Sequence, residues 1–330
     1  MSRTAEEEAA ATALAAALSE IDGATVERSV SAGLLCTYRV GGPIDILLRV
    51  ETREALAAAV GALHDHNAPV LTVGKGSNLL VADAGFHGVG VVLGEAFTTI
   101  EIDGTNAIAG GAAALPVVAR ATVNAGLDGF AWAVGVPGSI GGAVRMNAGG
   151  HGSDMAASLV SVDVADLTIG GIVTRSAGSL DLSYRHSSIA PWQIVASARL
   201  VLAEGDIDSG AELLREIVAW RREHQPGGAN AGSVFTNPPS DSAGRLIDAS
   251  GLKGYRIGSA EVSTKHANFI QADPDGSAND VIALMVHVVE QVKNDVGIHL
   301  HAETRLVGFD DDLVDRVQGS PTTREETSDG

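Results

Sequence analysis

The sequence predicts an α+β protein built from three interleaved units. Apolar residues make up 45% of the chain and charged residues 19%, which is enough apolar material to bury sizeable cores. The 330 residues exceed the roughly 250 to 300 that one core organises. Strand-like and helix-like patterns alternate, beginning with the strand-like IDILLRV at 44–50 and a helical pattern from Arg53 to His66. Together these observations indicate a globular protein and exclude a small disulfide-stapled module.

The individual elements follow from hydrophobic period and composition. The runs VLTVG and GVVL flank a glycine-rich turn between residues 70 and 93, which suggests a unit of βαββ type. The acidic tail at 310–330 is predicted to be poorly ordered. The predicted helices are 5–19, 53–66, 115–125, about 209–222 and about 279–295, and the predicted strands lie at 44–50, within 70–93, within 159–202 and at 298–309.

Charge limits the classes of partner. With 22 basic and 41 acidic residues the formal charge is −19, and a surface that negative repels polyanions. We therefore expect no nucleic-acid partner and no anionic-membrane partner. The charge does not exclude a local basic pocket for a small phosphate ligand.

Several features of the chain indicate its compartment. Cys36 is the single cysteine and cannot form an internal disulfide, and the acidic start MSRTAEEEAA is unlike a secretory signal. The longest apolar runs fall short of the ~20 residues that span a bilayer. We expect a cytoplasmic chain, and a monomer.

Glycine is in excess, at 40 residues or about 12% of the chain against a usual ~7%. In VGKGSNLLVAD (73–83), Gly74 and Gly76 allow close approach of a ligand to backbone N–H groups, and Ser77 and Asn78 add side-chain donors. A dinucleotide fingerprint fails here, because Leu79 replaces the third glycine and strand-like residues follow. On residue types alone, an ordinary glycine hairpin is favoured over an anion-binding turn.

A second glycine-rich segment, AWAVGVPGSIGGAVRMNAGGHG, covers 131–152. A flexible linker would be polar, whereas this segment carries Trp132, Ile140, Val144 and other apolar residues. A buried loop covered by a phosphate-bearing ligand is therefore favoured over a linker.

Three further residues are candidates for chemistry. Ser233 lies between a glycine stretch and the turn FTNP, yet it has no GxSxG elbow, so on its own it is a turn serine. Arg185 in LSYRHSS could clamp a carboxylate, and Glu303 lies in a strand opposite its apolar face. His299 and His301 share a strand face with Glu303, but without further ligands we expect no metal site.

The order of the motifs is more informative than any one of them. The motifs, in order, are TYRVGG (37–42), VGKGSNLLVAD (73–83), GVPGSIGGAVRMNAGG (135–150), SYRHSS (183–188), GSVFTNP (232–238), AGRLIDASGLKGYRIGSAEVSTKHANFI (243–270) and HAETRLVGF (301–309). In this order they resemble the UDP-N-acetylenolpyruvoylglucosamine reductase family over roughly residues 30–309.

The resemblance implies a fold that composition does not indicate. It is an FAD-binding, vanillyl-alcohol-oxidase-type (PCMH) pair of α+β subdomains followed by a C-terminal α+β substrate-binding domain. The implied boundaries are an N-terminal helical or flexible segment at 1–28, FAD-binding subdomains at 29–97 and 98–205, a substrate-binding domain at 206–300, a returning catalytic strand at 301–309, and the acidic tail at 310–330.

The resemblance also implies site residues. The implied catalytic residues are Ser233, Arg185 and Glu303. The implied cofactor-binding residues are Tyr38, Arg39, Gly41, Gly74, Lys75, Gly76, Ser77, Asn78, Leu79, Gly110, Pro137, Gly138, Ser139, Ile140, Gly141, Gly142, Asn147 and Gly149. The implied substrate-binding residues are Tyr184, Arg185, Arg222, His224, Gln225, Asn237, Lys265 and His266.

The implied reaction is the NADPH-dependent reduction of UDP-N-acetylglucosamine enolpyruvate to UDP-N-acetylmuramate, with non-covalent FAD, in peptidoglycan precursor synthesis. Hydride goes to the β-carbon and Ser233 gives a proton to the α-carbon. Arg185 would stabilise the enolate, and a protonated Glu303 would assist it. The chain departs from the family pattern at His224 and Thr236, where lysines are common, which leaves open how the UDP phosphates are held. Two other classes also stay open: a sugar or alcohol oxidase of the same fold, and a catalytically silent nucleotide-sugar binding protein.

Overall fold

The computed structural model describes residues 4–239 and 241–319. Within them the chain forms two compact units, each contributed by separate stretches of sequence. The first unit contains the described residues up to Val30 together with Ile44–Lys75 and His87–Arg221. The second contains Ser31–Pro43, Gly76–Phe86 and the described residues from Arg222 onward.

The described residues contain eight α-helices: α1 (Ala5–Ser19), α2 (Arg53–Asp65), α3 (Leu115–Asn124), α4 (Ile140–Met146), α5 (Ile207–His224), α6 (Ala243–Ala249), α7 (Ala278–Val296) and α8 (Asp311–Gln318). Short 3-10 helices cover Ala32–Leu34, Glu95–Thr98, Ala131–Gly135, Met155–Ala157 and Ala177–Ser179. In this part of the chain, no helix is long and apolar enough to span a bilayer.

The described strands are β1 (Ala24–Ser31), β2 (Pro43–Val50), β3 (Val70–Thr72), β4 (Leu79–Val81), β5 (Phe86–Leu93), β6 (Ile100–Asp103), β7 (Asn106–Gly110), β8 (Leu127–Asp128), β9 (Gly149–Gly150), β10 (Ser153–Asp154), β11 (Leu159–Asp166), β12 (Gly171–Ser176), β13 (Gln193–Val201), β14 (Ala203–Glu204), β15 (Arg256–Ile257), β16 (Ala260–Val262), β17 (Ile270–Ala272) and β18 (Arg305–Val307).

Capping residues define the ends of the long helices. Thr4 and Glu7 form a reciprocal capping box at the start of α1. The Ser277 hydroxyl accepts from the backbone at the start of α7, and Gly297 ends this helix in the left-handed region at φ 75°. The five helices predicted from the hydrophobic period are confirmed within two residues at each end.

The first unit contains two large sheets, besides the two-stranded pairs β9-β10 and β8-β14. One has the strand order β1-β2-β5-β3, in which β3 runs parallel to β5, and α1 and α2 contribute to its core. The other is antiparallel, with the order β12-β11-β13-β7-β6, and α4 packs on β13. The strands predicted within 159–202 are confirmed as β11, β12 and β13.

The second unit is built around α7. Nine buried residues of this helix, among them Leu284 and Met285, form its core face, and α7 packs against the small antiparallel sheet β15-β16-β17. Removing each such Val, Leu, Ile or Met side chain from water stabilises the fold by roughly 1.5–3 kcal/mol. Strands β4 and β18 pair in parallel, with Leu79 opposite Arg305.

Four expectations from the sequence are wrong. The turn at 73–83 is not a hairpin, because β3 pairs with β5 in parallel and β4 pairs with β18. The predicted strand at 298–309 shrinks to β18, preceded by an isolated bridge at Ala302. The start of the acidic tail is ordered as α8, where Val317 is buried; residues 320–330 lie outside the described part. The segment 135–152 is not one loop, since it contains α4.

Candidate functional site

The first unit contains a cleft in the part of the sequence richest in glycine. The volume of the cleft is ≈ 670 Å³, including the space at its mouth that is open to solvent. It is lined by Thr72, Val73, Gly74, Lys75, Val92, Leu93, Gly111, Ala112, Ser139, Gly141, Gly142, Arg145, Ile189, Gln193 and Val195.

Close backbone packing explains two of the lining glycines. A Cβ at Gly111 would lie 2.0 Å from the carbonyl oxygen of Val195, and a Cβ at Gly74 would lie 2.7 Å from Oγ of Ser139. Both distances are below van der Waals contact. A side chain at Gly111 would have to displace backbone, and one at Gly74 would have to displace the Ser139 hydroxyl that caps α4. Glycine therefore brings the walls of the cleft together as bare backbone.

Helix α4 begins at the cleft despite its two glycines. The Ser139 hydroxyl accepts from the N–H of Gly142 at 3.4 Å, and the N–H of Gly141 donates to the carbonyl of Gly111 at 2.8 Å. Low helix propensity at Gly141 and Gly142 is overridden by this cap and by packing on β13. Propensity alone could not predict α4.

The cleft suits a diphosphate-bearing cofactor. Lys75 and Arg145 supply positive charge in a strongly negative protein, and Arg145 is held by a hydrogen bond of 2.9 Å to the carbonyl of Ala190. The buried Oγ1 of Thr72 has no hydrogen-bond partner among the described residues, which leaves a polar atom for a ligand to satisfy. The residues present therefore fit FAD, which carries a diphosphate and polar ring edges.

The implied cofactor residues fall into three groups in the structure. Those that line the cleft are Gly74, Lys75, Ser139, Gly141 and Gly142. Those that lie in the first unit away from the lining are Gly110, Pro137, Gly138, Ile140, Asn147 and Gly149, and those in the second unit are Tyr38, Arg39, Gly41, Gly76, Ser77, Asn78 and Leu79.

The turn residues of the second unit are tightly constrained. Gly76 has φ +61°, and a Cβ there would lie 2.0 Å from the carbonyl oxygen of Leu35, so this turn requires glycine. Its carbonyl accepts from the N–H of Thr37 at 3.1 Å. The neighbouring Tyr38 is fully buried with its hydroxyl unpartnered among the described residues, and burial raises the pKa of this phenol. Tyr38 is therefore neutral.

The second unit brings Ser233 and Glu303 onto adjoining segments. The N–H of Glu303 donates to the carbonyl of Val234 at 2.7 Å, and the N–H of Thr236 donates to the carbonyl of His301 at 3.0 Å. Ser233 is exposed and Glu303 is half-buried. A hydroxyl and a carboxyl group thus project from two paired stretches of backbone.

Asn78 connects the glycine turn to the segment that contains Glu303. Its Nδ2 donates to the carbonyl of Glu303 at 3.0 Å, and its own carbonyl accepts from the N–H of Arg305 at 2.9 Å. The parallel pairing of β4 with β18 sets this register. The implied cofactor turn is therefore hydrogen-bonded directly to the backbone of Glu303.

Arg185 lies in the first unit, at the tip of a two-residue turn. Ser183 and His186 exchange backbone hydrogen bonds across this turn, and Arg185 adopts φ +56°. Its guanidinium donates to the carbonyl of Gly149 at 3.0 Å and lies 5.0 Å from the ring of the exposed Tyr184.

The side chain of Asn147 is hydrogen-bonded to the turn that carries Arg185. The residue is 2% exposed, ends α4 at φ 39°, and donates through Nδ2 to the carbonyl of Ser183 at 2.9 Å and to the carboxylate of Asp154 at 3.1 Å. Its Oδ1 accepts from the N–H of Ala156 at 2.9 Å. Its side chain is therefore committed to holding the Arg185 turn, and its implied role as a cofactor ligand stays a prediction.

Four implied substrate residues lie near one another in the second unit. Nζ of Lys265 donates to the carbonyl of Arg222 at 2.7 Å, and burial, then the charges of Lys253 and His224, lower the pKa of His266. His266 is therefore mainly neutral at pH 7, and the lysines and Arg222 carry the positive charge.

The two remaining implied substrate residues also lie in this unit. Gln225 is half-buried directly after α5, and Oδ1 of the exposed Asn237 accepts from the N–H of Ala243 at 3.0 Å. Across residues 4–239 and 241–319, no group of three His, Cys, Asp or Glu side chains could hold a metal ion.

Sequence reasoning missed several cleft residues. Thr72, Arg145 and Gln193 line the cleft without having been singled out. Arg145 could have been found, because it is the one lysine or arginine between 135 and 152. Thr72 gave no sequence signal, since an unpartnered hydroxyl is visible only in three dimensions.

Comparison with known proteins covers both units. The family model for the FAD binding domain matches residues 44–176, and the model for the UDP-N-acetylenolpyruvoylglucosamine reductase C-terminal domain matches residues 224–307. The UDP-N-acetylenolpyruvoylglucosamine reductase of Rubrobacter xylanophilus is 38% identical over 82% of this chain and 91% of its own length. The reductase of that name from Heliobacterium modesticaldum is 42% identical over 84% of this chain and 90% of its own length.

A solved structure extends the likeness to three dimensions. The crystal structure of UDP-N-acetylenolpyruvylglucosamine reductase from Thermus caldophilus has a TM-score of 0.75 to this chain at 36% identity, covering 86% of this chain and 99% of that one. The predicted fold class is thereby confirmed. The chain belongs to the UDP-N-acetylenolpyruvoylglucosamine reductase family of flavin oxidoreductases, and most of its FAD binding domain lies in the first unit.

Proposed function

We propose that the protein catalyses the NADPH-dependent reduction of UDP-N-acetylglucosamine enolpyruvate to UDP-N-acetylmuramate, a step of peptidoglycan precursor synthesis. One observation of the structure supports the chemistry best. Glu303 is hydrogen-bonded through its backbone to Val234, directly after Ser233, so a proton-donating hydroxyl and a carboxyl group lie on paired segments. The substrate is supported by the similarity of the chain to UDP-N-acetylenolpyruvoylglucosamine reductases.

The cofactor would be held mainly by the cleft of the first unit. Lys75 and Arg145 supply charge for its diphosphate, and the backbones of Gly74, Gly111 and Gly141 form the walls. FAD, when bound, supplies hydride transfer between NADPH and the enolpyruvyl group.

Ser233 gives the proton that completes the reduction. Addition of hydride to the β-carbon leaves an anionic, enolate-like centre, and transfer of the hydroxyl proton of Ser233 to the α-carbon neutralises it. An enolate is a strong base, so a well-placed neutral hydroxyl is a sufficient acid. The Ser233 alkoxide regains its proton from water, to which the exposed side chain has access.

Arg185 and Glu303 act on the charge of the same intermediate. A guanidinium stabilises the carboxylate and the enolate together, and fixed charge of this kind commonly contributes several kcal/mol to lowering a barrier. Glu303 assists when it is protonated and donates a hydrogen bond, whereas an ionised Glu303 would oppose the developing negative charge.

The phosphates of the substrate need local positive charge in a chain of net charge −19. The cluster of Arg222, His224, Lys265 and His266 in the second unit supplies it. Because His266 is mainly neutral, Lys265 and Arg222 would hold the diphosphate at pH 7.

Ser233→Ala tests the assignment of the proton donor in the FAD-loaded protein. NADPH should still bleach the flavin absorbance at the wild-type rate, while reoxidation by the enolpyruvyl substrate should slow by about 10²-fold or more, as expected for loss of a general acid. Ser233→Cys, which keeps an acidic proton, should recover part of this loss. Equal slowing of both half-reactions in Ser233→Ala would contradict the role.

A further inference from the structure

Asn268 holds the backbone that follows Ser233. The residue is 4% exposed and lies just before β17. Its Oδ1 accepts from the N–H of Phe235 at 3.0 Å, and its Nδ2 donates to the carbonyl of Phe235 at 2.8 Å. Its own carbonyl accepts from the N–H of Val234 at 2.9 Å. One residue therefore makes three hydrogen bonds to two consecutive residues.

This anchoring matters because Gly232, the residue directly before Ser233, is weakly constrained. Gly232 has φ +79°, and a Cβ built there would meet nothing within 4 Å. Its N–H donates to Oδ1 of Asn230, only two residues earlier in the chain. The residues next to Ser233 that are both buried and hydrogen-bonded to Asn268 are therefore Val234 and Phe235, on its C-terminal side.

The same backbone also connects to Glu303. The carbonyl of Val234, whose N–H is bonded to Asn268, accepts from the N–H of Glu303. Asn268 therefore fixes the backbone of Val234 and Phe235, which connects Ser233 to Glu303.

We propose that Asn268 is a positioning residue for Ser233, which acts by fixing the peptide groups of Val234 and Phe235 so that the Ser233 hydroxyl points at the α-carbon of the substrate. The proposal rests on the function proposed above. Asn268 touches neither substrate nor cofactor in this account, and its effect is confined to protonation.

The chemistry of the amide explains why asparagine is needed. Asparagine offers one acceptor and two donors at the end of a short side chain, which matches the N–H and the carbonyl of one residue, Phe235, in two consecutive peptide groups. Aspartate keeps the acceptor but, when ionised, turns a negative oxygen toward the Phe235 carbonyl. Alanine leaves both peptide groups without their side-chain partner.

The test uses the FAD-loaded protein and two variants, with Asn279→Ala as control because Asn279 is an exposed asparagine of the same unit. In Asn268→Ala, bleaching of the flavin by NADPH should stay within about twofold of wild type. Reoxidation by UDP-N-acetylglucosamine enolpyruvate should slow about 100-fold, the loss expected for a misplacement of about 1 Å.

Two further readouts separate positioning from general damage. Hydrogen exchange of the Val234 and Phe235 amides should become faster in Asn268→Ala and stay unchanged in Asn279→Ala. In Asn268→Asp, the reoxidation rate relative to wild type should rise as the pH is lowered, because a protonated carboxyl group can again donate to Phe235.

The outcomes distinguish this inference from the proposed function. Wild-type protein whose flavin is not reoxidised by the enolpyruvyl substrate would overturn the function. Wild-type turnover together with unchanged reoxidation in Asn268→Ala, or with equal slowing of both half-reactions, would overturn the positioning role. Unchanged exchange at Val234 and Phe235 would overturn it whatever the protein catalyses.

Discussion

The Arg185 turn should depend on the buried amide of Asn147. Its side chain makes three hydrogen bonds, to Ser183, Asp154 and Ala156, and its backbone is left-handed at φ 39°. We expect Asn147→Ala to destabilise the first unit and to loosen the turn that carries Arg185.

The magnitude follows from two separable costs. Each lost hydrogen bond removes about 0.5–1.5 kcal/mol, and a partner left buried and unpaired costs more. An alanine in the left-handed region costs a further ~1–2 kcal/mol. Asn147→Ala should therefore lower the free energy of unfolding by about 3–5 kcal/mol, and Asn147→Gly, which removes the conformational cost, by ~1 kcal/mol less.

The assay is denaturant unfolding of the protein without added FAD, with Asn67 as the matched control. Asn67 is also left-handed, at φ 46°, but it is exposed. Asn67→Ala should therefore lose only the conformational ~1–2 kcal/mol. If Asn147→Ala lost no more than Asn67→Ala, the hydrogen bonds of Asn147 would not be holding the turn and the reasoning would be refuted.

Two glycine-to-alanine substitutions should change the stability of the protein in opposite directions. Gly111→Ala places a methyl group 2.0 Å from the backbone carbonyl of Val195 at the cleft, so it should destabilise the protein by at least ~1–3 kcal/mol and weaken FAD binding, measured by thermal unfolding and flavin titration. Gly61→Ala, inside α2 with nothing within 4 Å of the new Cβ, should instead stabilise by about 0.5–1 kcal/mol with unchanged FAD affinity. A Gly111→Ala protein that equals wild type in both measurements would contradict the close-packed cleft wall.

Local sequence patterns predicted most of the long helices and strands. They failed for elements whose formation depends on packing against residues far away in the sequence. The period of apolar residues found α7 and the strands within 159–202, because each buries one consistent face. Helix α4 was missed, since its glycines are poor helix formers and its stability comes from Ser139 and β13. The parallel pairing of β3 with β5 was also missed, because it joins residues separated by the whole 73–86 segment.

The candidate site was predicted in part, and only through the order of its motifs. Taken singly, Ser233 was a turn serine and Glu303 a solvent-facing strand residue. What joins them is a set of backbone bonds between segments about 70 residues apart, which no local pattern encodes. Asn268 and Thr72 gave no usable signal for the same reason: their roles depend on which polar atoms they face.

The central claim is that this chain reduces an enolpyruvyl ether with protonation at the α-carbon. The direct measurement is turnover of UDP-N-acetylglucosamine enolpyruvate with NADPH in D₂O by the FAD-loaded wild-type protein, with mass and NMR analysis of the product. The account predicts UDP-N-acetylmuramate carrying deuterium at the α-carbon, because the hydrogen delivered there comes from an exchangeable hydroxyl group. Product without deuterium at the α-carbon, or NADPH oxidation that consumes oxygen and leaves the enolpyruvyl group intact, would contradict it.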